Sequence, residues 1–78
     1  MSHALLLAAF AVSADDPLTK AAEAYRKGDH AAAREAAAAV AKADPKRVDA
    51  HALLGLACLA QRDNAAAAEA FTAVLKLE

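Results

Sequence analysis

His3, His30, His51 and the single Cys58 are the soft ligands and thiol nucleophile that this 78-residue chain offers to chemistry. Zinc takes its ligands in short pairs of Cys or His, a few residues apart, and these four side chains form no such pair. His51 and Cys58 stand seven residues apart, which on one helix separates them by about 10 Å along the axis. The expectation is a packed His51 and a buried Cys58 that behaves as a small hydrophobe. The carboxylates Asp29, Asp63, Glu35 and Glu69 fall where capping and solvation explain them. Gly28 and Gly55 are isolated, so no Gly-rich loop cradles a phosphate, and Ser2 and Ser13 both lie in the leading segment. These features predict a protein that is not an enzyme, with no cofactor and no metal. Nine Lys and Arg against ten Asp and Glu give a net charge of −1, which leaves no basic excess to neutralise nucleic-acid phosphates. A single Cys excludes an internal disulfide.

Such residues must be carried by helices. The chain contains 27 Ala, ten Leu and four Val, with no Ile or Trp. Strands favour the β-branched and aromatic residues that are scarce here, whereas Ala has the highest helix propensity. The expected fold class is all-α, in one small domain.

Residues 1–14 hold no Asp, Glu, Lys or Arg, and residues 4–12 are a continuous apolar run that ends before Ser13-Ala14 and Asp15-Asp16-Pro17. The run is too short to span a bilayer, which takes about 20 residues. It fits the hydrophobic region of a secretory signal with Val12 and Ala14 before the cleavage point, although His3 stands where Lys or Arg is usual. The other reading is a retained apolar helix packed on the domain. A signal makes the protein secreted or periplasmic; retention leaves it cytoplasmic and allows membrane contact through residues 5–12.

The rest of the chain repeats. Residues 14–44 placed on 48–78 give ten identities in 31 pairs, nine of them between 29–42 and 63–76. Asp29/Asp63, Glu35/Glu69, Val40/Val74 and Lys42/Lys76 are not explained by the abundance of Ala. A period of 34 marks a helix-turn-helix solenoid unit, so the expected units are 15–47 and 48–78. Asp16-Pro17 is an N-cap with proline in the first helical position. Gly28-Asp29 closes one helix and caps the next, and Asp44-Pro45 breaks the chain again. The spacing predicts helices over 17–27, 30–43, 46–61 and 64–77, antiparallel because the loops are short.

On these residues the chain resembles the tetratricopeptide repeat family, with a short solenoid of about two repeats. Leu54-Gly55 matches the large-then-small pair through which the family's first helix meets its second. Ala67, Phe71 and Val74 match the small residue, the aromatic knob and the branched residue of the second helix. In the first unit Ala21, Gly28, Ala33 and Pro45 fall on family positions. The departures are His51 for Trp, Ala24 and Cys58 for an aromatic, Arg62 for Gly and Ala37 for the knob.

The resemblance implies a protein-binding module whose groove is lined by the first helix of each unit. Carried over, the lining is Leu18, Ala22, Tyr25 and Arg26, then Ala52, Leu56, Leu59 and Ala60. The Lys and Asn with which some members clamp a peptide carboxylate are replaced by Leu18, Ala22, Ala52 and Leu56, so an apolar peptide or helix is the implied ligand. A repeat cannot bury its face alone. The open end of the second unit therefore calls for cover by another copy of the chain, by further repeats, or by Leu5, Leu6, Leu7 and Phe10 folding back. Cover by further copies makes the chain a structural protein that stacks end to end into an oligomer or filament.

Overall fold

The computed structural model describes residues 15–78, and the apolar run with its cleavage point lies outside them. Four helices follow one another: α1 (Pro17–Arg26), α2 (His30–Ala43), α3 (Val48–Ala60) and α4 (Asn64–Leu77). No strand occurs among the described residues. Connections of three or four residues make successive helices antiparallel neighbours, and α1 and α3 also touch.

Three of the four helix starts are capped by an Asp side chain. Asp16 accepts from the Leu18 N–H at 2.8 Å, Asp29 from Ala32 at 3.1 Å and Asp63 from Ala66 at 3.2 Å, each satisfying one of the free donors of a first turn. The exception is α3, which starts at Val48 rather than at the expected 46. Pro45 holds the preceding residues in a turn, in which the Arg47 N–H donates to the Asp44 carbonyl at 3.1 Å. Arg47 is then the N-cap without capping through its side chain.

The two turns inside the units share one construction. In the first, the Gly28 N–H donates to Tyr25 O and the Asp29 N–H to Ala24 O; in the second, the Arg62 N–H donates to Leu59 O and the Asp63 N–H to Cys58 O. This double closure needs a residue in the left-handed conformation, supplied by Gly28 at φ +86 and by Arg62 at φ +63. Left-handed backbone costs an L-residue about 1–2 kcal/mol, partly offset by the greater entropy that Gly loses on folding. Arg62→Gly should therefore stabilise the domain by somewhat under about 1 kcal/mol and raise Tm by a few degrees, which thermal melting monitored by circular dichroism will register. An unchanged or lowered Tm would contradict the strain at Arg62.

The core is a layer of Ala around a few long side chains. Leu18, Ala21 and Ala22 of α1, Ala37, Val40 and Ala41 of α2, and Ala50 and Leu53 of α3 form one buried cluster. Ala lets helix backbones approach closely, so Leu18, Leu53 and Cys58 suffice as the largest fully buried side chains. The pair Leu54-Gly55 works differently from a simple core contact: Leu54 is half-buried against the cluster, while Gly55 receives the ring of Phe71. Phe71 itself is only half-buried, because α4 has just one face covered by α3. Ala33 and Ala67 are buried, Val74 is half-buried and Pro45 is exposed.

Candidate functional site

On α3 the residues Ala52, Leu56, Leu59 and Ala60 recur at i, i+4, i+7 and i+8, which places them on one helix face. Ala52 and Leu56 are half-buried with their inner sides on the core cluster. One turn further Leu59 is 50% exposed, and Ala60 beside it is exposed. This is an apolar strip that leaves the core and reaches solvent.

The same spacing on α1 has a different outcome. Leu18 and Ala22, expected to line a groove, are 0% and 6% exposed and belong to the core cluster. The first unit has few long apolar side chains, so its one Leu is drawn inward to fill space that its Ala neighbours leave. Tyr25 and Arg26 keep to the surface. Tyr25 is half-buried on the cluster and tilts against the His30 ring at 5.3 Å between centroids, and Arg26 is exposed. Of the expected lining, Tyr25, Ala52 and Leu56 are half-buried and Arg26, Leu59 and Ala60 exposed.

Two arginines that nothing in the sequence singled out join the units. Arg47 forks onto Asp16, with Nη1 donating to Oδ1 at 2.8 Å and Nη2 to Oδ2, while its Nε donates to Asp49 Oδ1 at 2.8 Å. Asp16 therefore caps α1 and anchors the start of α3 at once, and the Arg47 guanidinium, with the Leu18 N–H, holds its carboxyl below the usual value. Arg34 of α2 reaches Gln61 at 3.1 Å and Asp63 at 2.9 Å, and the Asp63 carboxyl is lowered by its bond from Ala66 N–H and by Arg34. The Arg34–Asp63 pair is open enough to water to contribute little stability, whereas Arg47, part-buried and forked onto Asp16 while also bound to Asp49, has the bidentate, networked geometry in which such pairs count for more. Their effect is to set how the units sit. An Arg and an Asp 31 residues apart leave no local signal, which is why the link is visible only in three dimensions.

The soft ligands are dispersed. His51 Nε2 donates to the Pro45 carbonyl at 2.8 Å; since a carbonyl can only accept, that nitrogen carries the proton. Cys58 is a buried free thiol. Among the described residues no three of His, Cys, Asp and Glu are placed to hold a metal ion, and no helix is long and apolar enough to cross a membrane.

A further concavity lies elsewhere. A groove of about 710 Å³ runs between α1 and α2, floored by Ala32, Ala36, Ala39, Val40 and Ala43 with Pro17 at one side; Lys20, Glu35, Asp44 and Arg47 form its rim. None of the expected groove residues lines it. Its floor was legible as Ala at helical spacing, but Ala in so Ala-rich a chain carries no positional signal.

Residues 18–77 match the family model described as tetratricopeptide repeat. No curated protein and no solved structure matches the chain.

Proposed function

Because the chain belongs to the tetratricopeptide repeat family, whose members are protein-interaction scaffolds, we propose that it is a non-enzymatic module seating an apolar peptide or helix on the α1/α3 face. The observation that carries this reading is the strip Ala52, Leu56, Leu59, Ala60, which continues the core outward and ends on a half-exposed Leu. Water is released when a partner covers such a strip, at about 25 cal/mol per Å² of apolar area. Tyr25, packed on the same core cluster as Ala52 and Leu56, offers a large ring and a polar tip, a side-chain type enriched where partners meet. Arg26 on α1 is exposed and favours a partner with an acidic margin.

Leu59→Glu tests this. The side chain is half-exposed, so the substitution leaves no cavity and circular dichroism should show unchanged helicity. A fluorescent Leu-rich amphipathic helical peptide should bind the wild-type chain and bind the variant at least about tenfold more weakly, a loss of about 1.4 kcal/mol. An unfolded variant, or one that binds the peptide as the wild type does, removes the proposed surface.

A second reading, end-to-end assembly of copies, is favoured by Leu75 and Leu77 on the last helix, 76% and 38% exposed. Light scattering over a concentration series separates the two. Assemblies that grow and are dispersed by Leu77→Glu support stacking, and a monomer at every concentration rules it out.

A further inference from the structure

We propose that α4 pairs with the α4 of a second copy of this chain, antiparallel about a two-fold axis at Thr72, to make a closed dimer. The inner face of α4 is already used: Ala67 and Ala70 are buried, and Phe71 lies half-buried against Gly55. On the opposite side, at helical spacing, stand Ala68, Glu69, Thr72, Leu75 and Lys76, all exposed. Leu75 is 76% exposed, the most of any large apolar side chain among the described residues. The other repeat unit lacks this face. At the places 34 residues earlier α2 carries Arg34 for Ala68 and Ala41 for Leu75. Arg34 is engaged with Gln61 and Asp63, and Ala41 is buried.

What selects a second copy as the occupant is that this face complements itself in shape and in charge. With the axis at Thr72, Ala68 of each copy meets Leu75 of the other along one edge of the seam, a small residue receiving a large one. Along the other edge Glu69 of each copy meets Lys76 of the other. Both matches occur twice, as an isologous contact requires. Like charges stay apart, since the two Glu69 are offset by about 9 Å along the axis and the two Lys76 by about 12 Å. Within one helix Glu69 and Lys76 stand about 10 Å apart along the axis, too far to pair with each other. Thr72 suits the centre of the seam: its Oγ1 donates to the Ala68 carbonyl at 2.7 Å, so no hydroxyl proton is left unpaired when water is excluded. A helix of 14 residues is about 21 Å long, and one helix pair buries less than about 1,200 Å², the size of weak, transient contacts. The dimer therefore dissociates on dilution. None of Tyr25, Leu56 and Leu59 lies on α4, so the inference stands or falls separately from the α1/α3 binding face. It also differs from end-to-end stacking, because pairing about a two-fold axis stops at two.

Sedimentation equilibrium on the full chain tests it. The wild type should show a monomer–dimer equilibrium with nothing larger. A monomer at every concentration up to about 1 mM, or assemblies that keep growing, overturns the proposal. Leu75→Glu should keep its helicity, because the side chain is exposed, and should be monomeric; dimerisation at wild-type strength overturns the proposal. Glu69→Lys and Lys76→Glu should each weaken self-association several-fold, since each sets like charges across the seam at both contacts. An equal mixture of these two variants should dimerise about as strongly as the wild type, because every contact between unlike copies is then between opposite charges. A mixture that associates no better than its components overturns the two-fold pairing.

Discussion

Leu53→Ala should abolish the cooperative thermal transition of this domain. Leu53 is 0% exposed and lies in the cluster that joins α1, α2 and α3, so its side chain touches the packing of both units at once. Truncating a buried Leu costs about 2–5 kcal/mol, and the cost depends on how far the surroundings can close in. Here they cannot close far, because Ala21, Ala22, Ala37 and Ala50 have no longer side chain to swing into the void. A core of this size supplies about 3–5 kcal/mol in total. The expected result is a broad, non-cooperative loss of helicity by circular dichroism. Leu56→Ala, on the half-exposed strip, should retain a cooperative transition. A Leu53→Ala transition within a few degrees of wild type would show that the cluster does not hold the units together.

Gly55→Leu should be the next most damaging change, and its cost should depend on Phe71. A Cβ on Gly55 would meet the Phe71 ring at 2.6 Å from Cε1, 2.7 Å from Cζ and 2.9 Å from Cδ1. Three ring atoms at that range mean the ring lies against the α3 backbone, and any side chain there must displace it. Overpacking of this kind costs about 1–3 kcal/mol. Gly55→Leu gains some helix propensity, about 1 kcal/mol at most, which does not offset a displaced aromatic ring. Phe71→Ala alone should cost less than the roughly 3–5 kcal/mol of a fully buried Phe, because this ring is half-buried. In the Phe71→Ala background the Gly55→Leu substitution has space to occupy and should cost far less than in the wild type. Urea denaturation of the two single variants and the double variant measures the coupling. Strictly additive effects would mean that the ring and the glycine do not meet in solution.

The helix boundaries were legible because their determinants are local. Asp16, Asp29 and Asp63 each cap a helix through an N–H two or three residues away, and Gly28 sits in the left-handed conformation that its turn requires. Arg62 shows that the repeat is a stronger determinant than the residue. The second turn closes with the same pair of hydrogen bonds as the first although no glycine is present. The helix α3 starts two residues later than the spacing predicts, since Pro45 acts on the geometry of the residues around it as well as on the one before it.

What the amino-acid sequence determined by itself is the all-α class, the four helices, their antiparallel order and the 34-residue unit, since each follows from propensity, caps and short loops over a few neighbouring residues. What only the tertiary structure decided is which face each helix buries. Leu18 and Ala52, like Ala22 and Leu56, stand 34 residues apart at equivalent positions of α1 and α3, yet the α1 residue of each pair is buried and the α3 residue only half-buried. The Arg47–Asp16 clasp and the groove between α1 and α2 are likewise invisible along the chain. The physical reason is that burial depends on the volume neighbouring helices supply. In a chain built so largely of Ala, helical periodicity marks every face as apolar and leaves close packing to choose among them.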